Sequence, residues 1–310
     1  MKQNIFVLGS NGQLGSEFVK YAPKKEHDIN WIFLDRKDLD FKKLKSIDFV
    51  SLVEKFNPSL VINCAAYTKV DNAEEEKDLA LEINGIAVGL IAEILSKRLI
   101  PFVHFSTDYV FGDSSNKFLK TNDQKNPISM YGKSKLIGEE LILKNISPTY
   151  NKIFILRVSW VFGEKGNNFV KTILKLSKNK EIINVVSDQY GGPTSAASIA
   201  NFIIGLIPFM LSNESPASDA NDSFPWGIHH FQNEPIISWS GFAQKIIDSI
   251  FDKGFIYKKT AIKKINTSEY KSLAKRQLNS RLDCTKTKSL FRTHIPSWEK
   301  ELDELLDSLN

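Results

Sequence analysis

The sequence predicts an α/β fold: a doubly wound parallel sheet followed by a smaller, partly helical C-terminal substrate lobe. Short apolar runs alternate with amphipathic stretches through the first half of the chain, a glycine-spaced turn follows the first run, and the alternation stops near residue 180. Strand and helix repeated in this way place helices on both faces of a parallel sheet.

Taken in order, the candidate strands are 5–8, 31–34, 60–63, 101–105, 153–157 and 183–186. Helical patterns cover 13–21, 44–56, 79–97, 131–144 and 168–177 between them, then 239–251 and 298–309. The expected division is a dinucleotide-binding domain over 1–180 and a substrate lobe over 181–310, with some chain returning to the first domain. Segment 212–224 (SNESPASDANDSF) is rich in Ser, Asn, Asp and Pro and reads as an exposed insertion of unassigned role.

Composition narrows the classes. The chain has 310 residues, 42% of them hydrophobic, with 21 phenylalanines, enough for a sizeable core. Its formal charge of +5 comes from lysines spread along the chain among acids. That is a solvated surface rather than the dense basic stripe a nucleic acid needs. Cys64 and Cys284 suit neither a disulfide framework nor a metal. The apolar run 5–8 is too short for a signal peptide. Run 199–211, broken by Asn201 and Pro208, falls short of the ~20 residues that cross a bilayer. The expectation is a cytoplasmic enzyme without a membrane or nucleic-acid partner.

In a doubly wound sheet, ligands bind outside the carboxyl ends of the strands, so chemistry is sought there. Gly9, Gly12 and Gly15 of IFVLGSNGQLG link the first strand to the first helix, with Asn11, Gln13 and Leu14 between them. Two glycines permit a tight turn and close approach of backbone to a pyrophosphate; the third lets the helix pack closely on the sheet. This is the Rossmann arrangement. Asp35 ends the second strand, where a carboxylate accepts from ribose hydroxyls, while the adjacent Arg36 suits a 2′-phosphate. The pair leaves NADPH or NADH open.

The sharpest pattern is Tyr131-x-x-x-Lys135, which on a helix puts both side chains on one face. A phenol titrates near pH ~10, and an adjacent ammonium stabilises its anion. Upstream, PFVHFSTDYVFG ends a strand at Ser106-Thr107-Asp108, placing the Thr107 hydroxyl where it meets the same substrate oxygen as Tyr131. Trp160 follows the fifth strand, and its indole suits stacking on a sugar.

Together GSNGQLG, NCAAYTKVDNAE, FSTDYVFG, YGKSKLIGEE, RVSWVFGEKGNNFV, DQYGGPT and RQLNSRLD resemble the dTDP-4-dehydrorhamnose reductases, extended short-chain dehydrogenases, over about 4–300. The resemblance implies reduction of a C4 keto group on a dTDP-linked 6-deoxy sugar. Tyr131 would donate the proton, Lys135 would hold the nicotinamide ribose, and Thr107 would polarise the carbonyl. Gly12, Gln13 and Leu14 would meet the pyrophosphate. Asp35, Asp40 and Phe41 would surround the adenosine, with Ala65, Ala66, Tyr67 and Thr68 close to the dinucleotide. Val70, Asp108, Tyr109 and Trp160 would line the sugar nucleotide; Asn168, Arg276 and Arg281 are candidates for its phosphates or base.

Some members of this group are Mg²⁺-bridged dimers held by two glutamates. Glu17 matches the first, but Ala197 stands at the second, so no such metal is expected and an oligomer has no support. The alternatives are another nucleotide-linked 4-keto sugar, or a non-catalytic NADP-binding regulatory subunit.

Overall fold

The computed structural model describes residues 2–25, 29–113, 117–216 and 223–309. Its centre is a six-stranded sheet of β1 (Gln3–Leu8), β2 (Ile29–Leu34), β3 (Leu60–Asn63), β4 (Phe102–Thr107), β5 (Ile153–Val158) and β6 (Gly227–Phe231). The spatial order is β6-β5-β4-β3-β1-β2, and every pairing is parallel. β3, β4 and β5 are buried along their whole length, as strands covered on both faces must be.

Helices supply that cover. α1 (Gln13–Lys25) and α6 (Ala196–Ser212) pack against each other over one face, with Phe18, Ile199, Ile203 and Ile207 fully buried. α2 (Ser46–Phe56) and α3 (Lys77–Lys97) cover the other, contributing Phe49, Val88 and Ile91. By length and composition α3 is apolar enough to cross a membrane, but here half of that stretch is buried inside the protein. α4 (Met130–Leu143) follows on the α3 side, started by Ser129, whose side chain accepts from Gly132 N–H.

One expectation needs correction. Residues 182–186 do not join the central sheet; Ile182–Val186 pairs with Ala261–Ile265 in a separate two-stranded ribbon. Their alternating exposure marks a half-covered strand, unlike the continuously buried strands of the sheet. The sixth central strand is Gly227–Phe231, which lies beside β5. The chain after residue 180 therefore contributes α6 and β6 to the first lobe. Phe224, Leu282, Phe291 and Ile295 also pack into the core of the first lobe, while α5 (Phe169–Ser177), α7 (Trp239–Asp252) and α8 (Trp298–Ser308) build a separate core around Phe242, Ile246 and Trp298. Of segment 212–224, residues 217–222 lie outside the described residues; its ends meet in a Glu214–Ser223 bridge, and Asn213 accepts from the Trp226 indole.

Candidate active site

The glycine loop closes as a tight cradle. Gly9 has φ +73°, and a Cβ there would lie 2.6 Å from the Ala65 nitrogen. A Cβ on Gly15 would lie 2.2 Å from the Gly9 carbonyl oxygen. Both positions therefore demand glycine, on steric and conformational grounds. Asn11 donates to Asp35 at 2.5 Å, tying the loop to the end of β2. Arg36 is largely exposed and pairs with Asp40 at 3.3 Å, while Asp40 also accepts from Lys42 N–H. A dinucleotide with a ribose at β2 fits this cradle.

Several residues assigned to the cofactor turn their side chains elsewhere. Phe41 is buried in the core. The Tyr67 ring is buried and its hydroxyl donates to Glu76, leaving Ala66 and Thr68 exposed beside it. Gln13 donates to the Val161 carbonyl at 3.0 Å and accepts from Asn168 at 3.0 Å. Asn168 also donates to the Gly163 carbonyl and caps α5 through Lys171 N–H, so it braces the phosphate loop rather than joining the Tyr131 group.

At the carboxyl end of β4, Thr107, Asp108, Tyr109 and Tyr131 come together. The Thr107 hydroxyl donates to Asp108 at 3.0 Å and accepts from Tyr109 N–H, and it lies near enough to the Tyr131 hydroxyl to favour the phenolate. Tyr109 packs edge-on to Tyr131 with ring centroids 5.5 Å apart. Burial pushes Asp108 up to about 6, against the hydrogen bonds from Ser280, Thr107 and Gln277. Gln277 donates to it at 2.6 Å, joining the C-terminal lobe to β4.

Lys135 lies one turn beyond Tyr131 and is buried. Its Nζ lies 2.7 Å from the Phe105 carbonyl oxygen and 3.2 Å from His104 Nε2. The depressed phenol expected for Tyr131 is not what this arrangement gives. Burial pushes Tyr131 upward, because Lys135 is drawn towards β4 rather than towards the phenol. The same burial pulls Lys135 down to about 8.

Arg276 extends from the C-terminal lobe to Asp71 at 2.6 Å and to the Tyr109 hydroxyl at 3.3 Å, with Val70 half-buried beside them. Trp160 adopts φ +47°, rare for a large side chain and typical of ligand sites. One face of its indole lies on Trp239, centroids 3.6 Å apart, so at most the other face is open to a ligand. Arg281 stacks on Tyr190 instead. Glu17 and Ala197 do line one small cleft, with Lys20, Glu164 and Glu301. Among the described residues no group of three or more His, Cys, Asp or Glu is placed to hold a metal.

Sequence reasoning missed five residues at this site: Asn63, Asp71, Asn84, His104 and Gln277. Asn84 sits in a π-helical turn within α3, Glu82–Ile86, the kind of insertion that recurs at functional sites. It accepts from Tyr67 N–H, and donates to the Tyr67 carbonyl and to Ser134, locking α3 to α4.

Over residues 2–310 the sequence matches the RmlD substrate binding domain family. The chain belongs to this family. The dTDP-4-dehydrorhamnose reductase of Aggregatibacter actinomycetemcomitans is 38% identical over 303 residues, 97% of each chain. The Salmonella typhimurium protein of the same name is 33% identical, over 99% of this chain and 98% of its own length. A dTDP-4-dehydrorhamnose reductase of Bacillus anthracis, solved in complex with NADP, superimposes with TM-score 0.86 at 32% identity, covering 99% of this chain and all of that one. A Bacillus anthracis dTDP-glucose 4,6-dehydratase solved with NAD shares the fold alone, at TM-score 0.74 and 15% identity. The match to the RmlD substrate binding domain family thus takes in both lobes.

Proposed function

We propose that the chain reduces the C4 keto group of dTDP-4-dehydrorhamnose (dTDP-4-dehydro-6-deoxy-L-mannose) to give dTDP-L-rhamnose, in the cytoplasm. Membership of the family supports this reading, and one observation carries the chemistry: Thr107, Tyr131 and Lys135 meet at the carboxyl end of β4, on the sheet edge that also bears the glycine cradle.

The cradle at Gly9–Gly15 would take the pyrophosphate, with Asn11 and Asp35 beside the adenosine ribose and Arg36 and Asp40 at its outer edge. When bound, NADPH or NADH supplies the hydride. Tyr131, kept as a neutral phenol by burial, hands its proton to the C4 oxygen. Thr107 donates to that oxygen once its hydroxyl turns from Asp108, so the developing charge meets two donors. Lys135 orients the nicotinamide ribose. Val70, Asp108, Tyr109 and Arg276 would line the sugar nucleotide, with the open face of Trp160.

The test follows NADPH or NADH absorbance with dTDP-4-dehydrorhamnose and with other dTDP-4-keto-6-deoxy sugars. Tyr131→Phe should lower kcat by ~10²–10⁴-fold while the cofactor still binds. Near-normal turnover in that variant rejects the assignment.

A further inference from the structure

Beneath Tyr131 runs a buried polar chain that the reaction so far leaves unused. Ala65 N–H donates to Asn63 Oδ1 at 3.0 Å; Asn63 Nδ2 lies 3.1 Å from His104 Nδ1; His104 Nε2 lies 3.2 Å from Lys135 Nζ. Asn63 is 1% exposed, His104 0% and Lys135 2%. Asn63 and His104 face each other in register across β3 and β4.

The direction of this chain is fixed by its first member. A backbone amide only donates, so the oxygen of the Asn63 side chain must face Ala65 and its NH₂ must face His104. Nδ1 of His104 is then an acceptor. Burial beside Lys135 holds His104 neutral, far below its ordinary range, so its single ring hydrogen sits on Nε2. That hydrogen points at Lys135 Nζ. An amine can accept it; an ammonium, with three donors and no lone pair, cannot. The Phe105 carbonyl takes an N–H from Lys135 in either state.

We infer that Ala65, Asn63 and His104 form a one-way hydrogen-bond chain that biases Lys135 towards the neutral amine, making Asn63 and His104 positioning residues for proton transfer at Tyr131. The other groups around Lys135 leave this bias standing. Glu139, one turn further along α4, favours the ammonium, but Arg157 of β5 engages both its oxygens at 2.8 and 2.6 Å. Asp108 and Tyr109 face Tyr131, and Glu74 accepts from Met130 N–H. Burial acts on Lys135 in the same direction as the chain. A lysine poised near ambient pH can return a proton to the Tyr131 phenolate left after each turnover, which one holding its proton some units more tightly does poorly. This consequence rests on Tyr131 being the acid; the bias itself does not.

Asn63→Asp reverses the chain. A carboxylate accepts from both Ala65 N–H and His104 Nδ1–H, which turns the Nε2 lone pair towards Lys135 and favours the ammonium. His104→Gln tests the same point without added charge, because its amide can turn a carbonyl towards Nζ. Protein labelled with ¹³Cε-lysine is titrated by NMR without cofactor or substrate, the Lys135 signal being the one lost in Lys135→Met. In both variants the Lys135 midpoint should rise by roughly one unit or more, and the alkaline limb of kcat should move with it. An unmoved midpoint in a folded variant overturns the inference. So does a wild-type midpoint at or above the ordinary ~10.4, which needs no variant to fold. Loss of sugar reduction with the midpoint still low would sink the proposed reaction and spare the chain.

Discussion

Lys135 and Glu139 sit one helical turn apart on α4, both buried, and their surroundings treat them differently. Glu139 receives a two-pronged ion pair from Arg157, which is fully buried, hydrogen-bonded to the Thr121 carbonyl and stacked on Phe111. Lys135 makes no ion pair among the described residues; its partners are a carbonyl and a neutral imidazole. Matched charges hold a structure in place because neither gains by changing protonation. An unmatched one stays close to its titration point, and proton chemistry needs that. The contrast separates the part of the helix that anchors the fold from the part that reacts.

The comparison can be broken at several points. Arg157→Met leaves Glu139 buried without a counter-charge and should cost about 3–5 kcal/mol in denaturant unfolding. Adding Glu139→Leu should restore most of that loss; a double variant as unstable as the single one would show that Arg157 acts through packing alone. Lys135→Met should act in the opposite sense, stabilising the fold at pH 7 while turnover collapses. The sign follows from linkage. Lys135 is pulled from 10.5 to about 8, so between those values the unfolded chain holds more protons than the folded one. Wild-type stability should therefore rise across that pH window, by up to about 3 kcal/mol for a shift of this size, and Lys135→Met should lose that rise. A flat wild-type profile there would place the ordinary lysine in the fold. Smallest of all, Lys258→Ala removes a fully solvated partner of Glu181 and should leave the melting temperature unmoved.

Much of this contrast was hidden in the sequence for a physical reason. The glycine turn, the Thr107 strand end and the Tyr131–Lys135 pair are local patterns, fixed by spacing along one element, and could be read directly. Asn63 and His104 lie in strands buried on both faces, where no alternation marks a side chain as special, and they meet only through the register of β3 on β4. Asp71 and Gln277 gain their meaning from partners 205 and 169 positions away, Arg276 and Asp108. The expected strand 183–186 joins a different sheet because a short apolar run carries no signal of its partner. Gly227–Phe231, with a leading glycine and two histidines, gave no strand signal at all, yet it forms the sheet edge beside β5.

That edge strand arrives late in the chain, after α6 has crossed back to cover α1. A ribosome that has released only the first 180 residues has therefore made a sheet with β5 as an open edge and one greasy face covered by α1 alone. The nucleotide-binding half cannot finish folding until the later half is synthesised, and the molecule should melt in one step instead of two.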